Sequence, residues 1–196
     1  MKDLVTYSTF SWTVKFVFLF YVLIIPVVSI APLQTLAQGN NKSILPQIGD
    51  KAPDFSIQYF NGKTFTLSKI GKDKPVLLWF TNLCSGCQSK LPFIEKLNKK
   101  YQHKEMEVLA VSQLGNDRKT VEDVILKNNL TVRFLYDPSG EATKLYAGRY
   151  TPGTCPMTNI YLINKSGKIS FATHFPGVSE EELTKQINKI ININHR

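Results

Sequence analysis

Residues 76–87 read Val76-Leu77-Leu78-Trp79-Phe80-Thr81-Asn82-Leu83-Cys84-Ser85-Gly86-Cys87. The unbroken apolar run Val76 to Phe80 follows a loop at Gly71 to Pro75 and has the pattern of a central strand covered on both faces. It delivers the chain straight to a pair of cysteines three positions apart. Beyond them Leu91, Ile94, Leu97 and Tyr101 recur at helical spacing, with Lys96, Lys99 and Lys100 mostly on the other side. The spacing predicts a helix over 85–101, kinked at Pro92. Cys84 and Cys87 therefore stand where a buried strand ends and a helix begins.

Working outward, Phe55, Ile57 and Tyr59 alternate with polar residues, Asn61-Gly62 supplies a tight turn, and Phe65 and Leu67 resume the alternation, which predicts a hairpin. On the other side, Val108 to Val111 reads as a buried strand. Thr120 with Asp123 reads as the capped start of a helix carrying Val121, Val124 and Ile125. Val132 to Tyr136 is a strand ended by Asp137-Pro138-Ser139-Gly140, and Glu141 to Tyr146 is a short helix. Ile160 to Ile163 and Ile169 to Phe175 flank a turn at Asn164 to Lys168, and Ser179 with Glu182 caps a last helix holding Leu183, Ile187 and Ile190. Central βαβ units followed by a hairpin and a helix imply an α/β domain with a mixed sheet and helices on both faces.

The 196 residues, 43% hydrophobic and 20% charged, suffice for one core. Ordinary Gly and Pro contents exclude collagen-like and wholly disordered chains, and three cysteines are too few for a disulfide-stapled miniprotein. The net charge of +9 is dispersed in pairs such as Lys99-Lys100 with no basic-aromatic face, so a solvated surface is expected and no nucleic-acid partner. Lys2, Asp3 and Lys15 precede an uncharged run from Phe16 to Ala31, and small residues at Thr35 and Ala37 precede Gln38. Residues 1–37 are read as a signal peptide or N-terminal membrane anchor, 38–47 as a polar linker and 48–196 as the folded domain. Either reading of the leader places the domain outside the cytoplasm.

Two cysteines on the first turn of a helix approach closely enough to form a small disulfide. The unpaired amides of a helix start favour an anion, so Cys84 is the expected nucleophile with a lowered pKa, and Cys87, one turn deeper, the expected resolving thiol. A zinc site would have to recruit Cys155 and one of His103, His174 or His195, because the sequence holds no second Cys-x-x-Cys, and no bound metal is expected. A permanent disulfide across so short a loop would remove little chain entropy.

From Ile48 to about Ile190 the chain resembles the thioredoxin superfamily, and within it the exported thiol-disulfide oxidoreductases of the TlpA and ResA kind, with the redoxin and peroxiredoxin branch a near relative. The matching residues are Gly49-Asp50-Lys51-Ala52-Pro53-Asp54-Phe55, Asn61-Gly62-Lys63, Cys84 to Cys87 followed by Pro92, and Tyr161-Leu162-Ile163-Asn164 before Gly167-Lys168. The resemblance implies a thioredoxin-like three-layer sandwich with an N-terminal β-hairpin extension. It also implies exchange of disulfides with protein substrates, a redox partner protein, and no cofactor besides a redox-active Cys84–Cys87 disulfide.

Three departures from that family mark candidate modulating or substrate-groove residues. Leu83 stands where the family has Trp, at the rim of the site. Lys90 stands where it commonly has Glu; its ammonium would lower nearby thiol pKa values, where a carboxylate would raise them, and so make the disulfide more oxidising. A cis-proline is expected opposite the cysteines, and spacing puts Thr158 there while Pro156 lies two residues earlier; Cys155 and Met157 belong to the same loop. Cys155 is either an inert buried thiol or a third redox participant. Two other activities compete with exchange. A peroxidase is suggested by Thr81-x-x-Cys84, although Leu77 stands where its proline belongs and no arginine lies near Ile160. A copper-binding assembly factor of related fold would need a histidine where Met157 and Thr158 stand, and His174 lies beyond the strand.

Overall fold

The computed structural model describes residues 45–101, 106–113, 118–149 and 154–193. The leader expected over 1–37 and linker residues 38–44 lie outside them, as do His103 and His195. Among the described residues the elements run β1 (Ser56–Tyr59), β2 (Thr64–Thr66), α1 (Leu67–Ile70), β3 (Val76–Thr81), α2 (Ser85–Gln88), α3 (Leu91–Tyr101), β4 (Glu107–Ser112), α4 (Arg118–Lys127), β5 (Arg133–Tyr136), α5 (Glu141–Ala147), β6 (Ile160–Ile163), β7 (Ile169–Thr173) and α6 (Glu180–Ile193). The seven strands form one sheet in the order β2-β1-β5-β4-β3-β6-β7.

Strand β3 is the axis of the fold. It pairs in parallel with β4 and antiparallel with β6, and all six of its residues are buried. Side chains alternate across a strand. Leu77 and Trp79 accordingly enter one core with Leu91, Ile94 and Leu97 of α3, Val121 of α4, and Leu183, Ile187 and Ile190 of α6. Val76, Leu78 and Phe80 enter the other, with Leu67 of α1 and Ala142 and Tyr146 of α5. A strand with helices against both faces has no solvent side, which is why its sequence is apolar without interruption. The hairpin β1–β2 pairs antiparallel, and β1 continues onto β5, so it extends the sheet at one edge.

Four expectations change in detail. Leu67 does not prolong the hairpin; its N–H donates to the Phe55 carbonyl and it opens α1. The helix over 85–101 is broken rather than kinked: α2 ends at Gln88, α3 starts at Leu91, and Pro92 falls in the first turn, where its missing N–H has no intrahelical acceptor. Thr120 is the third described residue of α4, not its cap, and Asp123 is taken by Lys119 in an ion pair of 2.8 Å. β7 stops at Thr173 because Phe175–Gly177 forms a 3₁₀ turn carrying Pro176, which has no ladder donor. The cap of α6 is as expected, the Glu182 N–H donating to Ser179 Oγ at 3.1 Å.

Candidate active site

The chain leaves β3 through a strained turn. Leu83 has φ +51°, a conformation that disfavours branched side chains, and it is held there because its N–H donates to Thr81 Oγ1 at 3.0 Å and its carbonyl accepts from Gln88 Nε2 at 2.7 Å. Its side chain is buried in the core rather than displayed at a rim. Cys84 follows as the N-cap of α2, with the Gln88 N–H donating to its carbonyl at 2.8 Å and its own N–H donating to Asn82 Oδ1 at 3.1 Å.

All three cysteines of the chain meet at this point. Cys155 Sγ lies 3.6 Å from Cys84 Sγ and 3.8 Å from Cys87 Sγ, and the three sulfurs fall within 4.8 Å of one another. All three are free thiols; Cys84 and Cys155 are half-buried and Cys87 is fully buried. This burial gradient separates their acidities. Burial pushes the Cys84 pKa up, but hydrogen bonds from the Cys87 and Gly86 amides and from the Cys87 and Cys155 thiols outweigh it and hold the thiol below its ordinary value. Cys87 is pushed strongly upward, first by burial and then by its neighbouring sulfurs, against a hydrogen bond with Thr81. Cys155 is raised by burial and by the nearby Cys84 sulfur. The arrangement supplies one accessible thiol whose thiolate is favoured, one thiol held protonated behind it and a third thiol beside both.

The loop before β6 is pinned over the cysteine pair from two directions. Asn82 Nδ2 donates to the Thr154 carbonyl at 2.8 Å, and His174 Nδ1 meets the Pro156 carbonyl at 2.9 Å, which makes Nδ1 the protonated ring nitrogen. The carbonyls flanking Cys155 are thus both anchored. Asn159, buried, ties the loop's end by accepting the Phe175 N–H on Oδ1 at 2.7 Å. Thr158 is half-buried and Met157 is 89% exposed beside Cys155. No cis peptide bond occurs among the described residues, so the expected cis bond is found at neither Pro156 nor Thr158. Lys90 is half-buried, and its Nζ donates to the Val178 carbonyl at 3.3 Å. His174 is outside the group of possible metal ligands, which among the described residues is the three sulfurs alone. Thr81 is buried, and its hydroxyl serves the Leu83 N–H and Cys87.

Sequence reasoning passed over Asn82, which touches both loops. The available signal was a buried amide two residues before a cysteine at a strand end.

The AhpC/TSA family matches residues 48–172. The chain belongs to that family. The thiol-disulfide oxidoreductase ResA of Bacillus cereus is 31% identical over 153 residues, which cover 77% of this chain and 84% of that one. A candidate protein disulfide isomerase from Bacteroides thetaiotaomicron superposes with TM-score 0.66 at 27% identity, covering 76% of this chain and 93% of that chain. The peroxidoxin BcpB of Mycobacterium tuberculosis superposes with TM-score 0.60 at 18% identity, covering 74% and 96%, a likeness of fold alone. This AhpC/TSA chain is a thioredoxin-like thiol-disulfide oxidoreductase of the ResA type, and Cys84-Ser85-Gly86-Cys87 is its Cys-x-x-Cys pair.

Proposed function

We propose that the protein exchanges disulfides with exported protein substrates outside the cytoplasm, Cys84 acting as nucleophile and Cys87 as the thiol that completes the cycle. A separate redox protein resets the couple, and the reversible disulfide serves in place of a cofactor. The carrying observation is the contrast between a half-buried Cys84 at the start of α2, its thiol held below the ordinary value and its sulfur 3.6 Å from Cys155 Sγ, and a fully buried Cys87 close beside it.

The Cys84 thiolate attacks one sulfur of a substrate disulfide and expels the other as a thiolate, leaving a mixed disulfide. The attack removes the negative charge from Cys84 and with it two of the influences that keep Cys87 protonated. Cys87 then loses its proton and attacks Cys84 Sγ; the substrate sulfur departs and takes up a proton. Two substrate thiols have formed, and the protein dithiol has become a disulfide. Every step reverses, so direction follows the partner's potential. Stabilising the Cys84 thiolate favours the reduced protein and makes the disulfide more oxidising than an unperturbed pair.

Met157, projecting beside Cys155, offers an apolar contact for an unfolded substrate segment. Export is supported by the uncharged run Phe16 to Ala31 behind Lys15, read as a signal peptide or as an anchor holding the domain at the membrane face. The test is reduction of a disulfide-bonded protein such as insulin: Cys84→Ser is expected to abolish it, and retained turnover in that variant would overturn the assignment.

A further inference from the structure

We propose that Cys155 is a second resolving thiol, which attacks Cys84 in the mixed disulfide and closes a Cys84–Cys155 bond in parallel with the route through Cys87. The proposal rests on Cys84 being the nucleophile. Cys155 Sγ is 3.6 Å from Cys84 Sγ, a separation at which reacting atoms are already poised, and forming a bond of about 2.05 Å asks for a movement of about 1.5 Å. The position is built rather than incidental. Asn82 and His174 grip the carbonyls on either side of Cys155, and the Cys155 thiol itself points to Asn82 Oδ1 at 3.8 Å, the atom that also accepts the Cys84 N–H. One buried amide thus registers both sulfurs against each other.

Accessibility favours this thiol. Cys87 is wholly buried, so its proton has to leave through the protein, whereas Cys155 is half-buried and reaches solvent. Two of the influences that hold Cys155 protonated, its hydrogen bond with Cys84 and the Cys84 charge, vanish once Cys84 is bonded to substrate. The step balances without any added oxidant. The Cys155 thiol loses a proton, its sulfur bonds to Cys84 Sγ, the bond from Cys84 to substrate breaks, and the departing substrate thiolate takes up a proton. Cys87, whose sulfur lies within 4.8 Å of Cys84 Sγ, then loses its proton and attacks Cys84 Sγ; the Cys84–Cys155 bond breaks, the Cys155 sulfur takes up a proton, and the disulfide comes to rest at Cys84–Cys87.

The full chain, reduced, is treated with 5,5′-dithiobis(2-nitrobenzoate), and the released thionitrobenzoate is counted while bonds are mapped by non-reducing mass spectrometry. In Cys87→Ser the first equivalent marks attack by Cys84. A second equivalent, at a rate within about tenfold of wild type and with a Cys84–Cys155 cross-link, is the expected result. Cys87→Ala repeats the test with an apolar side chain in the buried position. In the double variant Cys87→Ser/Cys155→Ser the second equivalent should fall at least about a hundredfold in rate, with the adduct retained on Cys84. In Cys84→Ser/Cys87→Ser the first equivalent should appear at least about tenfold more slowly, which excludes direct reaction at Cys155 as the source of the cross-link. Retention of the adduct on Cys84 in both single variants at Cys87 would overturn the proposal and leave Cys84 as nucleophile. Failure of wild type to react at Cys84 would instead overturn the reading on which the proposal rests.

Discussion

Replacing Asn82 by Ala removes the joint that holds the loop before β6 against the cysteine pair. Asn82 is 9% exposed and its side chain serves three groups: it donates to the Thr154 carbonyl, accepts the Cys84 N–H, and accepts the Cys155 thiol at long range. An ordinary intramolecular hydrogen bond contributes about 0.5–1.5 kcal/mol, and a buried partner left unsatisfied costs about 1–3 kcal/mol. The thiol contact is long and adds little. Exposed Thr154 and half-buried Cys84 recover part of their loss from water, so a destabilisation of about 2 kcal/mol is expected. For a domain of this size that lowers the melting temperature by about 4–8 °C. Urea denaturation at constant m measures it, and Asn82→Asp, which keeps the acceptor but loses the donor to Thr154, should recover about half. In a Cys87→Ser background the same Ala substitution should slow closure of the Cys84–Cys155 bond about tenfold. If Asn82→Ala unfolds within 0.5 kcal/mol of wild type and closes that bond at an undiminished rate, the reasoning about this joint is wrong.

Further outcomes follow from the same structure. The Cys84 pKa is held below the ordinary thiol range, so its alkylation by iodoacetamide should rise with pH and reach its plateau earlier than for an unperturbed cysteine, at about 8.5; a midpoint at or above that value contradicts the hydrogen-bond account. Lys90→Glu should make the couple more reducing by about 30 mV for each unit by which it raises the Cys84 pKa, measured against glutathione, and an unchanged potential removes Lys90 from the site. Glu95 is buried, and although burial raises its pKa, hydrogen bonds from Thr131, Val132 and Lys99 lower it overall. Its stabilisation is therefore fully present above the unfolded value near 4.3 and lost as pH falls through the lower folded value. Glu95→Gln should cost about 1–3 kcal/mol at pH 7, with the difference from wild type shrinking as pH falls below the unfolded value. Met157→Asp should raise KM for an unfolded protein substrate while leaving reaction with a small aromatic disulfide within twofold, and parallel losses on both would argue against a substrate contact.

The fold was legible wherever burial left a periodic trace. Val76 to Phe80 is apolar throughout because β3 is covered on both faces, and the pattern names the axis of the sheet directly. The break between α2 and α3 left a weaker trace, since helical spacing continues across it and only Pro92 marks the discontinuity. Thr120 and Asp123 mimic a capping pair although Thr120 lies inside α4, and nothing local shows that Asp123 pairs with Lys119 instead. At the site, Cys84 and Cys87 were legible because a redox pair is encoded by short spacing. Cys155 was legible only through resemblance, as a residue of the loop opposite. Asn82, His174 and Asn159 act across separations of 72, 18 and 16 residues, and such contacts leave no periodicity to read. The positive φ of Leu83 was likewise hidden, because a strained residue is held by its surroundings and not by its own preference.

The central claim concerns a reversible bond at Cys84, and titration of the protein against glutathione buffers of known potential, with alkylation and mapping of each cysteine, tests it most directly. The account predicts a single two-electron transition in which one disulfide forms per chain, Cys84 is always a partner in it, and Cys84–Cys87 is the equilibrium product. A chain whose Cys84 stays free at every potential, or whose disulfide once formed resists any dithiol, would contradict it.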